Sequence, residues 1–251
     1  MIVTAVVCPH PPLLVPELAG DAAGELDALR AACARAVRAL SRAGADALVV
    51  VGGADLKGDP TAGYPADAAG SLRPWGVDVR VGAGEPVLPL SLTIGRWLLE
   101  REGVAGGVTG FHAVSFGAAP AVCDRLGRRL AEAAPRVALL VMADGSACLS
   151  EKAPGYLDPR ARSYDDHVRH VLERADAEAL AALDPRQAEE LSFAGRAALQ
   201  VLAGAVRGDH SADGTAGKGE PVPVFGEREV YYEDPYGVGY FVATWSKRAG
   251  G

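Results

Sequence analysis

The sequence predicts a single α/β domain: a central, mostly parallel β-sheet with helices on both faces. Three observations carry that expectation. The runs Ile2–Val7, Ala47–Val51 and Val137–Met142 are almost wholly apolar, as strands buried on both faces must be. The first two are separated by a segment with apolar residues at helical spacing. Each run stops abruptly at glycine, proline or a polar residue, so the joins are short.

Taken in order, the first strand ends at Cys8-Pro9-His10-Pro11-Pro12, where three prolines remove backbone donors and forbid both sheet and helix. A histidine on so rigid a loop has the support that a ligand or catalytic group needs. From Asp21 to Ala43, Leu26, Leu29, Cys33, Val37 and Leu40 form a helical stripe, with Asp21 as the expected N-cap and Gly44 as the C-terminal cap. The second strand ends in Gly52-Gly53-Ala54-Asp55 and completes a βαβ unit, which makes the strands parallel. Those glycines are no dinucleotide fingerprint, since no GxGxxG leads into a helix.

Leu56 to Pro89 is rich in Gly, Pro and Asp, either a functional loop across the sheet's mouth or a plain connector, with a short strand at Val77–Val81. A helix is expected over Pro89–Glu102, then a Gly-broken strand Val104–Gly110 leading to Phe111-His112, then a helix over Ala119–Ala133. The strand Val137–Met142 ends in Ala143-Asp144-Gly145-Ser146-Ala147. A lid-like excursion (Glu151–Arg162), helices Tyr164–Leu183 and Pro185–Val206, a mobile polar segment 208–220 and closing strands Val230–Tyr232 and Gly237–Trp245 follow. No internal repeat or long linker divides the chain, so one domain is expected over 1–251.

A chain of 251 residues that is 49% hydrophobic can bury a sizeable core. A net charge of −7 with no basic cluster argues against nucleic acid and anionic membrane as partners. No long apolar run or basic leader is present, and the four cysteines never fall in CxxC spacing. Reduced thiols and a cytoplasmic location are the expectation.

Parallel strands bring their C-terminal ends to one edge, so His10, Asp55 and Asp144 can share a crevice. Glu233-Asp234-Pro235, before the last strand, adds carboxylates. One histidine with two carboxylates suits Fe(II), Mn(II), Zn(II) or Mg(II), although strand-end aspartates serve equally as loop and helix caps. His112, beside small residues, fits a structural hydrogen bond or a base. His167 and His170 at i, i+3 among charges read as a solvated helix face. Ser146 lacks the second glycine of a nucleophile elbow, and Cys148 has no adjacent base. Tyr231, Tyr232, Tyr236 and Tyr240 fit a pocket wall, a dimer edge or ordinary core.

The order of these motifs resembles one known family. Pro9-His10-Pro11-Pro12, then Val49-Val50-Val51-Gly52-Gly53-Ala54-Asp55, then Asp144-Gly145-Ser146-Ala147 and Tyr236-Gly237-Val238-Gly239-Tyr240-Phe241-Val242-Ala243 come in sequence. The chain from Ile2 to Trp245 is similar to the class III extradiol ring-cleavage dioxygenases of the catalytic-subunit-B (LigB-like) superfamily, which includes Memo-like proteins. The resemblance implies a metal-dependent oxidoreductase, often dimeric, whose non-haem Fe(II) holds a catechol-type substrate; Zn or Mn are the other candidate metals. On it, His10 is the first metal histidine, Asp55 stands where the second should be, and Glu233 supplies the carboxylate, with Glu229 and Asp234 as rivals. Asp144 fits the start of the general-base loop, but Ala147 stands where the base histidine belongs. His112 is the substitute base, and Ser146 and Tyr236 are placed against substrate. Asp55 in place of an imidazole favours harder metals, and loss of the base removes a contribution of about 10²–10⁴-fold. The other implied reading is a degenerate member that binds a ligand or protein partner without catalysis.

Overall fold

Strand β1 (Ile2–Cys8) is buried along its whole length in the computed structural model, which describes residues 1–212 and 225–247. Pro9 to Pro12 end it, and a four-residue helix α1 (Pro16–Ala19) leads toward helix α2 (Asp27–Arg42). Asp21 does not cap α2: Gly20–Leu26 winds as a 3-10 turn and the α-helix starts at Asp27. Gly44, at φ +59, takes the left-handed turn expected after the C-terminus. Strand β2 (Ala47–Ala54) follows, fully buried.

The long connector contains a strand that the sequence did not announce, β3 (Thr61–Tyr64). The strand expected over Val77–Val81 shrinks to β5 (Arg80–Val81), which pairs only with β4 (Gly70–Ser71). Helix α3 (Leu90–Arg101) precedes β6 (Val108–Ser115), which runs through His112 instead of stopping before it. Helix α4 (Pro120–Ala131) and strand β7 (Val137–Met142) match their expected places.

The two long helices expected next are each broken. Helix α5 (Ala161–Arg174) ends at Ala175, which adopts φ +53, and Asp176 then caps α6 (Ala177–Ala181) through the Ala179 amide. Helix α7 (Pro185–Glu190) is separated from α8 (Arg196–Ala212) by a turn with Ser192 at φ +50. That turn buries Phe193 and lets the Gly195 amide donate to the Asp144 carbonyl at 2.8 Å. Part of the segment 208–220, expected to be mobile, lies in α8; 213–220 falls outside the described residues. The hairpin of β8 (Glu227–Glu233) and β9 (Tyr240–Ser246) closes the chain.

Seven strands form one sheet in the order β3-β6-β2-β7-β1-β9-β8. The central four, β6, β2, β7 and β1, are mutually parallel, as their buried apolar runs require. Strand β3 and the β8–β9 hairpin add antiparallel edges. Leu29, Cys33 and Val37 of α2 and Leu92, Ile94 and Leu98 of α3 pack on one face against Val6, Val50 and Leu140. Leu126 and Leu130 of α4, Val168 of α5 and Leu199 and Leu202 of α8 cover the other, against Val51, Leu139 and Val141. Trp245 is nearly buried and donates its indole N–H to the Leu172 carbonyl at 2.8 Å, which ties β9 to α5. Among the described residues no helix is long and apolar enough to cross a membrane.

A crevice at the ends of β1, β7, β8 and β9

The C-terminal ends of β1 and β7 are adjacent, in register up to Cys8 and Met142, and the chain leaves them toward opposite faces of the sheet. A gap between such strands is where open α/β sheets bind ligands. Here it is framed by His10 and Asp144. The Ala143 amide still donates to the Cys8 carbonyl at 2.9 Å, after which β1 peels away and Asp144 bridges directly to Tyr240. Tyr240 in turn pairs with Glu233 across the β8–β9 hairpin. The ladder itself therefore lines up Asp144, Tyr240 and Glu233 on successive strands, with His10 held against Asp144.

His10 is 5% exposed, and its backbone amide donates to Asp144 Oδ1 at 2.7 Å. Its imidazole Nδ1 lies 3.6 Å from the same oxygen, too far for a hydrogen bond, and has no other partner among the described residues. Burial pushes the Asp144 carboxyl above its ordinary range, opposed by His10. Glu233 accepts from the Tyr231 hydroxyl at 2.6 Å through Oε2, while its Oε1 is buried without a partner among the described residues. Burial, followed by the bond to Glu233, pushes Tyr231 up to about 12. Burial and then Asp144 likewise raise the Tyr240 phenol, whose hydroxyl has no partner among the described residues. Beneath them the Cys33 thiol is raised well above its ordinary value by its hydrogen bond with Cys8, then by burial and by Glu233 and Asp144. Both thiols are buried.

The remaining expected site residues separate from this cluster. Asp55 is exposed at the end of β2, with β7 between it and β1. At about 4.8 Å per strand it lies roughly 19 Å across the sheet from the end of β8, which carries Glu233. His10, Asp55 and Glu233 therefore cannot share one metal ion. Among the described residues no three His, Cys, Asp or Glu side chains converge closely enough to hold one. The donor set that the resemblance implies does not fit an Fe(II) centre. Glu229, one rival, is largely exposed and faces Arg35 at 3.8 Å; Asp234, the other, is paired with Arg162.

His112 is no strand-end residue: it sits within β6, opposite Val51 and Gly63, half-buried. Burial and then Arg129 of α4 lower its pKa. With β2 and β7 between β6 and β1, it lies about 14 Å from His10's strand and is no base for this crevice. Ser146 is fully buried, donates to the Leu191 carbonyl at 2.8 Å and accepts from the Cys148 amide at 3.2 Å, so it holds a loop and does not meet substrate. Tyr236 does reach the rim: it is 42% exposed and donates to Glu25 Oε2 at 2.6 Å.

One buried group was not anticipated. Asp165, fully enclosed, accepts from the Ser146 amide at 3.1 Å and the Tyr232 hydroxyl at 3.0 Å, and so fixes the Asp144–Ser146 loop from behind. A signal was present, since Ala161, Tyr164, Asp165, Val168, Val171 and Leu172 form the buried stripe of α5 with one carboxylate inside it.

No protein-family model matches this chain, and no curated protein matches it either. Among solved structures it is similar to the uncharacterized protein JW3007 of Escherichia coli K12, with a TM-score of 0.54 and 14% identity over 97% of this chain and 100% of that one. At that identity the likeness is one of fold.

Proposed function

We propose that the chain binds a small hydroxylated molecule of catechol type between His10, Asp144, Tyr240 and Glu233, as a LigB-like protein without the three-donor metal centre of ring-opening enzymes. The observation that carries this reading is a pair of buried, unpartnered polar atoms, His10 Nδ1 and Glu233 Oε1, at one strand-end crevice. Leaving such an atom unsatisfied costs about 1–3 kcal/mol, and a ligand with vicinal hydroxyls removes that cost. The Tyr240 hydroxyl acts as a donor, and His10 Nδ1 and Glu233 Oε1 accept.

Titration calorimetry with catechol tests this. His10→Ala and Glu233→Gln are each expected to weaken binding about tenfold, the loss of one hydrogen bond, with circular dichroism unchanged. Undetectable binding by the native protein, or equal affinity in both variants, defeats the reading. Elemental analysis checks the absence of a three-donor centre. No stoichiometric metal after Fe(II) reconstitution is expected, and stoichiometric metal that disappears in His10→Ala overturns the reading.

A further inference from the structure

Strand β9 borders a second concavity at its other end. A cleft of about 450 Å³ lies between α2 and the β8–β9 hairpin. Arg35, Arg38 and Arg42, at i, i+3 and i+7, form its helical wall. Glu229, Thr244 and Ser246 form the opposite wall, and the register pairs Glu229 with Thr244.

Donors outnumber acceptors here. Arg38 is engaged by Glu102 at 3.0 Å, but Arg35 reaches Glu229 only at 3.8 Å, beyond hydrogen-bond length. Arg42 is exposed and makes no ion pair or hydrogen bond among the described residues. Among the described residues the Thr244 hydroxyl is likewise unclaimed, and the Ser246 hydroxyl meets only that of Thr4, at 3.3 Å. Arg228 lines the rim, though its guanidinium turns away to the Arg174 carbonyl. In a chain of net charge −7, this concentration of guanidinium groups is a local reversal of sign.

We propose that this cleft binds a phosphate-type dianion, the phosphomonoester group of a small molecule, with Arg35 and Arg42 as charged donors and Thr244 and Ser246 as neutral ones. Donors on two facing walls suit a tetrahedral oxyanion, whose oxygens point in all directions, better than a planar carboxylate. The volume exceeds that of a bare phosphate and leaves room for the organic part, whose hydroxyl Glu229 can accept.

The test is calorimetry with inorganic phosphate and with glycerol phosphate on the native chain, on the Arg35→Ala/Arg42→Ala double variant, and on Arg186→Ala, an exposed arginine outside the cleft. Saturable binding that weakens at least tenfold in the double variant and stays unchanged in Arg186→Ala is expected. Glycerol phosphate is expected to bind more tightly than phosphate, and equal affinities overturn the ester assignment. No saturable binding up to about 10 mM, or equal affinity in the double variant, overturns the site. Both arginines are exposed, so circular dichroism of the double variant is expected to match the native protein.

Discussion

Gly127→Val is expected to destabilise the protein by about 3 kcal/mol or more, read as a lower urea midpoint. Helices α4 and α8 cross with their backbones almost touching. A Cβ at Gly127 would stand 2.5 Å from the Ala205 nitrogen, with the Val201 carbonyl oxygen closer still. From the other side, a Cβ at Gly204 would stand 2.6 Å from the Asp124 carbonyl oxygen. These neighbours are main chain in the middle of helices, so no side chain can swing aside, and the helices must part. Parting them exposes the apolar contacts that Leu126 and Leu130 make in the same core as Leu199 and Leu202. It also disturbs the crevice, because α8 begins directly after Gly195, whose amide holds the Asp144 carbonyl. Gly106→Ala, where a Cβ meets nothing within 4 Å, is the control and is expected to stay within about 0.5 kcal/mol of native.

The parallel centre of the sheet was legible because burial on both faces leaves strands no choice but continuous apolar runs. Ala47–Val51 and Val137–Met142 could be read directly. Strand β3, Thr61-Ala62-Gly63-Tyr64, is a half-exposed edge and carries too few apolar residues to stand out from its loop. The helix breaks were hidden for a different reason. Ala175 and Ser192 occupy left-handed conformations that usually go to glycine or asparagine, so the usual helix-ending residue is missing at both turns. The second turn buries Phe193.

For the crevice, the rule that parallel strands align their C-terminal ends fixed the level of a residue but not its lateral position. His10 and Asp144 met because β1 and β7 are neighbours, an order no pattern in the chain discloses. Asp55 stands at the same edge and is excluded only by the intervening strand. Glu233 reaches that edge through the closing hairpin, whose antiparallel turn pairs it with Tyr240. Asp165 lies on a helix and not at a strand end, and its only signal is the periodicity of α5.

Asp165→Asn is expected to stabilise the protein by roughly 2–4 kcal/mol at pH 8 and to have almost no effect near pH 4. Burial is the leading cause that pushes the Asp165 carboxyl from 3.8 to about 7, and it outweighs the stabilising bonds from the Ser146 amide, the Tyr232 hydroxyl and the Arg162 charge. Asp234, paired with Arg162, adds a raising contribution. The folded chain therefore keeps a proton that the unfolded chain has lost between about pH 4 and pH 7. Stability from this group is present in full below pH 3.8, falls as pH rises through the window, and is lost above about 7. At 1.36 kcal/mol per unit the full loss is about 4 kcal/mol. Asparagine fills the same volume, still accepts from the Ser146 amide, and can donate to the Tyr232 oxygen, so it removes the buried charge without opening a cavity. Every other carboxylate titrates in both proteins, so the difference between their urea midpoints from pH 4 to pH 8 isolates this one group. A difference that does not change with pH would mean that Asp165 ionises as an ordinary carboxylate, and that the loop carrying Asp144 rests on a permanent anion.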